Sequence, residues 1–292
     1  MNPNKIENAS NLLERIGRKV YIPLSEMKIE GWLSKEPLSF ADKRKGEHCQ
    51  LSIGDSWGGL FDCAWMKLSG QIPAIDEGLD LVLMVDIGGE GLVHDAAGNP
   101  IRGITNKMSS YGIPPDKPGK WLVELSEGAP GEAIEFWVDA GCNDLFGYVQ
   151  NGGVITDAHL GTCHSELKAL YYDVEVLVDW LKGDSGQVSH QPKGVSTKDK
   201  PELISNEARF ARFHQVLDRV DQALVHFTDQ EIALCRQLLA DIYDQPSTGG
   251  SVDITATGHA HLDLAWMWPL REGKRKAMRT FRSEERRVGK EC

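Results

Sequence analysis

The chain has 292 residues, enough for roughly two domains of ~150 residues, and 41% of them are hydrophobic, which suffices to bury a core. A net charge of −11 argues against nucleic acid or an anionic membrane as the main partner and is compatible with a neutral substrate such as a sugar. No apolar run approaches the ~18 residues of a membrane span, and the amino terminus lacks the apolar segment of a signal peptide, so we expect a cytoplasmic protein. The six cysteines form no CxxC pair, and we expect them to be reduced thiols.

The first predicted elements are a short helix and a series of strands. Within residues 1–19, the side chains at helical spacing that would share one face are Ile6, Leu12, Leu13 and Ile16. Glycine and proline then recur every few residues, and the clearest apolar runs between them are Leu51–Ile53, Phe61–Leu68, Leu79–Ile87, Trp121–Leu125 and Ile134–Val138. With turn signals such as DAAGNP between the runs, this pattern predicts a β-sandwich over residues 20–158.

Residues 159–248 are predicted to form a helical connector. A helix from Ser165 to Gly183 has apolar residues at a spacing of three or four. The polar segment that follows has no period, and we expect proteases to cut it between residues 183 and 201. A second helix is predicted from residue 202 to residue 226. Thr228 and Glu231 then have the spacing of a capping box that opens a third helix.

Residues 249–281 are predicted to begin a new β/α unit. SVDITAT alternates as a strand does, and WPLREGKRKAMRTF suits a helix with Pro269 in its first turn. The predicted fold class is therefore α+β. We expect an N-terminal β-sandwich, an α-helical connector, and then the first β/α unit of an incomplete (β/α) barrel.

The end of this predicted strand has the residue types of a metal site. His259, His261 and Asp263 project to one side if the strand continues that far. Functional residues of β/α barrels lie where strands end, and histidine nitrogen and carboxylate oxygen are both zinc ligands. Hydrogen-bonded polar residues at a helix start, with Asp263 as an N-cap, would explain the same spacing. The pattern alone leaves both interpretations open.

The longer segment GHAHLDLAWMWPLREGKRKA resembles the zinc-site segment of the class II α-mannosidases, glycoside hydrolase family 38, and most of all their cytosolic and vacuolar branch. The resemblance implies retaining hydrolysis of terminal α-mannosides with one zinc ion, for which other divalent metals such as cobalt could substitute. It implies zinc ligation by His261 and Asp263 and an aromatic wall beneath the sugar formed by Trp266. We interpret His259 as a hydrogen-bonded strand-end residue rather than a ligand.

The same resemblance sets further expectations. Trp268 and Pro269 are expected to pack at the helix start, and Arg271 and Glu272 to form a surface or structural ion pair. The partner would be an α-mannoside oligosaccharide, and the full-length enzyme could be a homo-oligomer. The catalytic nucleophile is expected downstream of the chain, so no catalytic residue is assigned within it.

The carboxyl-terminal end of the chain is interpreted as interrupted. A barrel needs ~200 or more residues, but only residues 251–292 follow the start of the predicted unit. The resemblance stops after Phe281, and we interpret residues 282–292 as a non-native tail. We expect an inactive amino-terminal part of an enzyme, in which residues 251–292 are the least ordered part or dock on the connector helices.

Two alternative functions remain at this stage. The amidohydrolases also place an H-x-H metal motif at the end of the first barrel strand. A non-catalytic carbohydrate-binding module would use exposed tryptophans of the sandwich as a stacking platform, and the candidates are Trp57, Trp65 and Trp137. Burial in the core explains these tryptophans at least as well.

Overall fold

A computed structural model describes residues 3–108, 118–125, 128–143, 152–184, 207–244, 255, 262–266 and 268–288. The chain forms two compact units. A helical unit comprises residues 1–20 and 164–255, and a β-rich unit comprises residues 21–163 and 256–292. The β-rich unit is therefore built from two separate stretches of sequence.

The β-rich unit contains thirteen strands in the described residues. They are β1 (Tyr21–Glu26), β2 (Lys28–Ser34), β3 (Glu47–Leu51), β4 (Ser56–Trp57), β5 (Cys63–Gln71), β6 (Asp80–Asp86), β7 (Glu90–His94), β8 (Pro100–Met108), β9 (Pro118–Lys120), β10 (Leu122–Glu124), β11 (Ala133–Gly141), β12 (Gly153–Val154) and β13 (Asp157–Cys163). A four-stranded sheet has the order β1-β13-β6-β10, a seven-stranded sheet has the order β3-β2-β5-β11-β7-β8-β9, and β12 pairs with β4. The pairs are antiparallel, and the β-sandwich expected from the sequence is confirmed as a mostly β fold.

The main hydrophobic core lies between the two large sheets. Side chains alternate between the faces of a strand, so every second residue of each strand points inward. Leu83 and Val85 of β6 meet Met66 of β5 and Val138 of β11 in one buried cluster. In β5, Ala64, Met66 and Leu68 belong to this core, whereas Trp65 lies on the opposite face of the sheet.

The outer face of the seven-stranded sheet is also covered. Trp32, Trp65 and Trp137 form a second buried cluster there, with Leu38 and Phe40 packed against it. A 3-10 turn at Phe40–Asp42 places the Phe40 ring against Trp65, with 5.5 Å between the ring centroids and an edge-to-face geometry. Both faces of this part of the sheet are therefore buried.

The helical unit contains four helices in the described residues: α1 (Pro3–Val20), α2 (Ser165–Asp184), α3 (Glu207–Ala223) and α4 (Asp229–Tyr243). The apolar stripes predicted for α1 and α2 are buried, and the capping box of Thr228 and Glu231 is present at the start of α4. These helix predictions are confirmed. In the parts of the chain that the structure describes, no helix is both long and apolar enough to cross a membrane.

A fifth helix, α5 (Leu270–Val288), belongs to the β-rich unit and contacts β7 and β8. For α5, the alternative that residues 251–292 dock on the connector helices is not met, because this helix contacts strands of the β-rich unit. The helix also runs through residues 282–288, which the sequence analysis assigned to a tail. The strand predicted over residues 251–257 lies outside the described residues apart from Thr255, so the barrel unit itself stays a prediction.

Two strands in the structure differ from the sequence prediction. The strand predicted at Leu51–Ile53 ends at Leu51, because the backbone turns immediately afterwards and the Asp55 carboxylate accepts a hydrogen bond from the Ser52 amide at 2.8 Å. Strand β1 was not predicted. It contains Pro23 at a register shift against β13, and a proline at the irregular edge of a sheet weakens the strand signal in the sequence.

Candidate functional site

The segment preceding α5 contains the described part of the predicted site. Asp263 is half-buried, and Trp266 is 54% exposed. The Trp266 ring meets the Trp268 ring edge to face, with 5.7 Å between the centroids. His259 and His261 lie outside the described residues. The structure thus places an accessible indole three residues from a carboxylate.

The donor chemistry of this segment fits a zinc ion in part. Carboxylate oxygen and imidazole nitrogen are both zinc donors, and a catalytic zinc site has about three protein ligands and one open position. Within the described residues, no three His, Cys, Asp or Glu side chains cluster as a metal site would require. Asp263 is the described member of the predicted pair, and a zinc site here would need a third protein ligand from outside this segment.

The face of α5 that meets the β-sheet is charged. Arg275, Lys276 and Arg279 are all buried, and Glu272 has no exposed surface. Burying an unpaired charge costs several kcal/mol, so each of these groups needs partners of opposite charge. The partners come from Glu90 of β7, from two β11 residues, and from Asn143 just after β11.

Arg275 makes the largest set of these contacts. Its guanidinium binds both carboxylate oxygens of Asp139, with Nη2–Oδ1 at 2.5 Å and Nε–Oδ2 at 3.2 Å, and Nη2 also donates to the Ala140 carbonyl at 2.8 Å. Nη1 donates to Glu272 at 2.5 Å and to the Cys63 sulfur at 3.4 Å. A Cβ atom on Gly141 would lie 3.0 Å from Nη1, so glycine allows the guanidinium to approach the strand.

A second group of contacts surrounds Glu90. Its Oε2 accepts hydrogen bonds from Lys276 Nζ at 2.5 Å, from Arg279 Nη1 at 2.9 Å and from Asn143 Nδ2 at 2.6 Å. Glu272 Oε2 accepts from Arg279 Nη2 at 2.9 Å and from Asn143 Nδ2 at 3.1 Å. Because its amide donates to two carboxylates, Asn143 joins the strand and helix sides. We call the seven residues of both groups the buried charge cluster: Glu90, Asp139, Asn143, Glu272, Arg275, Lys276 and Arg279.

The electrostatics of the buried charge cluster favour the charged forms of its carboxylates. Burial would raise the pKa of Glu90, but Arg279 and Lys276 outweigh it and hold the pKa below its usual value. The pKa of Glu272 is lowered in the same way by Arg275 and Arg279, against the effect of burial. Burial lowers the pKa of Lys276, although Glu90 opposes the shift. Three carboxylates thus balance three cations within the cluster.

Two contacts connect α5 to the segment that contains Asp263 and Trp266. A Cβ atom on Gly273 would come within 2.6 Å of the Leu264 carbonyl oxygen, so the helix touches the backbone of that segment where only glycine fits. Lys276 Nζ lies 4.1 Å from the centroid of the Trp268 ring, within the range of a cation–π interaction.

Three interpretations from the sequence can be compared with the structure, and the one for Arg271 and Glu272 changes in detail. Arg271 and Glu272 were expected to pair with each other, but Arg271 lies 3.4 Å from Glu36 while Glu272 pairs with Arg275 and Arg279. Trp268 and Pro269 are half-buried at the helix start. The tryptophans considered as a carbohydrate-stacking platform are almost fully buried, so none offers a face to a sugar: Trp57, Trp65 and Trp137.

Sequence reasoning did not find the strand partners in the buried charge cluster. The signal that could have revealed one of them is Asp139, which interrupts the apolar run FWVDAG, because a carboxylate between two buried positions needs a cation nearby. The basic positions 275, 276 and 279 have the helical spacing that would supply such cations.

Comparisons with known proteins agree with the fold. A family model described as the jelly roll domain of alpha-mannosidase matches residues 22–166. The human protein Alpha-mannosidase 2C1 is 24% identical over 265 residues, covering 87% of this chain and 23% of the relative. Alpha-mannosidase G of Dictyostelium discoideum is 24% identical over 281 residues, covering 92% and 23%. Alpha-mannosidase of Saccharomyces cerevisiae is 21% identical over 287 residues, covering 90% and 23%.

The chain thus spans about a quarter of the length of these curated relatives, and the similarity extends well beyond the matched domain. The sandwich described above occupies the region that the family model matches. The motif around Asp263 and Trp266 and the fold of residues 22–166 point to the same proteins. Residues 22–166 thus match the jelly roll domain of alpha-mannosidase, and 87% or more of the chain is similar to proteins named alpha-mannosidase.

Proposed function

We propose that this chain is the amino-terminal part of a retaining, zinc-dependent α-mannosidase that hydrolyses terminal α-mannosides. The observation that supports this most is the similarity to proteins named alpha-mannosidase over 87% or more of the chain. The same similarity favours this family over the amidohydrolases.

In the proposed site, His261 and Asp263 bind zinc and Trp266 lies beneath the sugar ring. The exposed indole supports the role of Trp266, because an aromatic face can stack on the apolar face of a sugar only if it is accessible. When bound, the zinc ion would supply orientation and electrostatic stabilisation at the sugar hydroxyls. The residues of this chain bind and orient the substrate.

A retaining mechanism needs a carboxylate nucleophile and an acid/base residue, about 5 Å apart on either side of the glycosidic bond. We assign neither to the 292 residues, and two zinc ligands alone hold the ion weakly. We therefore propose that this chain alone has no glycosidase activity.

The proposal is tested in two steps. The chain is purified over two orthogonal columns to remove host mannosidase and assayed with p-nitrophenyl α-mannoside plus zinc or cobalt. We expect no turnover above background. Activity that co-purifies with the chain and disappears in Asp263→Ala would show that a complete site exists here.

The second step uses the full-length enzyme that contains this sequence. His261→Ala should lose both bound zinc, measured by elemental analysis, and mannoside hydrolysis. His259→Ala should keep the zinc, because this histidine is not a proposed ligand. Stoichiometric zinc in His261→Ala would refute the ligand assignment.

A further inference from the structure

We propose that Glu90, Asp139 and Asn143 of the jelly roll domain are positioning residues for residues 262–268, the segment that contains Asp263 and Trp266. They fix α5 on the sheet, and α5 in turn fixes the segment. The relevance to a sugar site rests on the proposed function. The attachment of α5 to the sheet and of residues 262–268 to α5 does not depend on it.

The first step is the attachment of α5 to the sheet. The cations at positions 275, 276 and 279 lie on one face of the helix and are bound by carboxylates on two different strands. A bidentate arginine contact fixes direction as well as distance. With contacts at three positions over more than one helical turn, the helix can neither slide nor rotate without leaving a buried charge unpaired. The buried charge cluster therefore sets the register of α5 on the sheet.

The second step leads from α5 to the segment. Lys276 contacts Glu90 on one side and the Trp268 ring on the other, and Trp268 meets Trp266 edge to face. Independently, the backbone of the helix at Gly273 touches the Leu264 carbonyl, one residue from Asp263. Two separate routes thus transmit the helix position to the candidate ligand and to the candidate sugar-stacking residue.

The positions of Glu90 and Asp139 on the outer face of the sheet explain how the β-rich unit can hold α5 in place. Both residues project from the face opposite the sandwich core, since their neighbours Val93 and Val138 are core residues. Neutralising either carboxylate leaves the sandwich core intact and weakens the contacts to α5 and, for Glu90, the contact to Asn143. The loss of either carboxylate should therefore affect the order of residues 262–268 more than that of the sheets.

The test measures hydrogen–deuterium exchange by mass spectrometry on the full 292-residue chain. The variants Glu90→Gln and Asp139→Asn keep shape and remove charge. We expect amide exchange in peptides from residues 262–281 to accelerate by tenfold or more, and to accelerate more than exchange in peptides from β5, β6 and α2. The matched controls are Lys274→Ala, an exposed cation on the same helix, and Glu77→Gln, an exposed carboxylate. Unchanged exchange in residues 262–281 would overturn the proposal, and so would equal acceleration throughout the chain.

Gly273→Ala separates positioning from helix stability. Alanine favours the helix over glycine, so on propensity alone every peptide in this region should exchange more slowly. Under the proposal, the new methyl group displaces the Leu264 carbonyl while the charge cluster stays formed. Exchange should then accelerate at least fivefold in residues 262–268 and stay protected in residues 274–281. Slower exchange in both would refute the second step.

The outcome is independent of the proposed enzyme activity, because exchange is measured without metal or substrate. If His261→Ala keeps its zinc while Glu90→Gln loosens residues 262–268, the proposed function fails and the positioning role stands. If His261→Ala loses zinc while the segment in Glu90→Gln is unchanged, the positioning role fails and the proposed function stands.

Discussion

Arg275 shows how much depends on one buried side chain. It contacts Asp139, Glu272, the Ala140 carbonyl and Cys63 at once. Removing one partner of a buried ion pair costs about 3–5 kcal/mol, because the other charge is left uncompensated. Asp139→Ala should therefore lower the free energy of unfolding by about that amount in urea titrations followed by circular dichroism. Lys274→Ala should change it by less than about 0.5 kcal/mol, and equal losses in both variants would contradict this assignment.

The acid sensitivity of the protein follows from the two glutamates of the cluster. Because the pKa values of Glu90 and Glu272 are lowered by their cationic neighbours, their contribution to stability is complete above the ordinary carboxyl pKa and is lost as pH falls through the lowered values. We expect Glu90→Gln to show a smaller drop in unfolding free energy between pH 7 and pH 3 than the unsubstituted chain. A parallel pH dependence in the two proteins would argue against the charged cluster. Glu36→Gln should not alter it.

Cysteine reactivity provides a third test at the residue scale. Burial raises the pKa of the Cys63, Cys142 and Cys235 thiols to about 11, so little thiolate exists at pH 8. These three residues should resist iodoacetamide in the folded protein and react after unfolding in urea, as measured by peptide mass spectrometry. Cys63 should become reactive in Arg275→Ala if the helix is released. Rapid labelling of Cys63 in the unsubstituted chain would show that α5 does not cover it.

Among the elements, α5 is the one whose orientation the sequence did not predict. Helix periodicity in sequences is detected from apolar residues, and an ordinary surface helix buries its apolar stripe. Here the buried face is charged, while Leu270, Met278 and Phe281 are exposed. The sequence pattern therefore predicts the presence of a helix, but not the face that it buries. Only the opposing carboxylates on β7 and β11 determine the orientation, and they are far away in sequence.

Elements whose pattern is formed by residues close together in the sequence were predicted well. The apolar spacing of α2, such as Leu170, Val174 and Leu181, matches its buried face. The strand at Leu51 was misplaced because the turn at Asp55 depends on a single side-chain hydrogen bond. The metal pair could be proposed only from its motif, since spacing alone does not distinguish a ligand from a capping residue.

The capping box of α4 gives a prediction for the helical unit. Thr228 accepts a hydrogen bond from the Glu231 amide at 3.3 Å, and Glu231 accepts one from the Thr228 amide at 3.4 Å. Thr228→Ala should destabilise this unit by about 1 kcal/mol, measured by urea unfolding. Thr228→Ser keeps the hydroxyl and should retain most of the stability. The assignment of the cap would be wrong if both substitutions had the same effect.

For the whole molecule, the exposed apolar face of α5 predicts self-association. Met278 is 50% exposed and Phe281 is 60% exposed, and apolar patches of this kind favour association in water. The double substitution Met278→Lys and Phe281→Lys should reduce concentration-dependent association in sedimentation velocity without disturbing the buried charge cluster. The double substitution Lys274→Ala and Thr280→Ser is the control on the same helix. An unchanged distribution of species would exclude this face as the contact.

The discontinuous sequence of the β-rich unit also has a consequence for the order of events on the ribosome. Asp139 emerges 136 residues before Arg275, which at ordinary translation speeds is a delay on the order of ten seconds. During that interval the sheet can form, but Glu90 and Asp139 still lack the cations of α5. Helix α5 therefore docks onto a sheet that has already formed, and nascent chains should gain resistance to proteolysis in two stages separated by the synthesis of the helical unit.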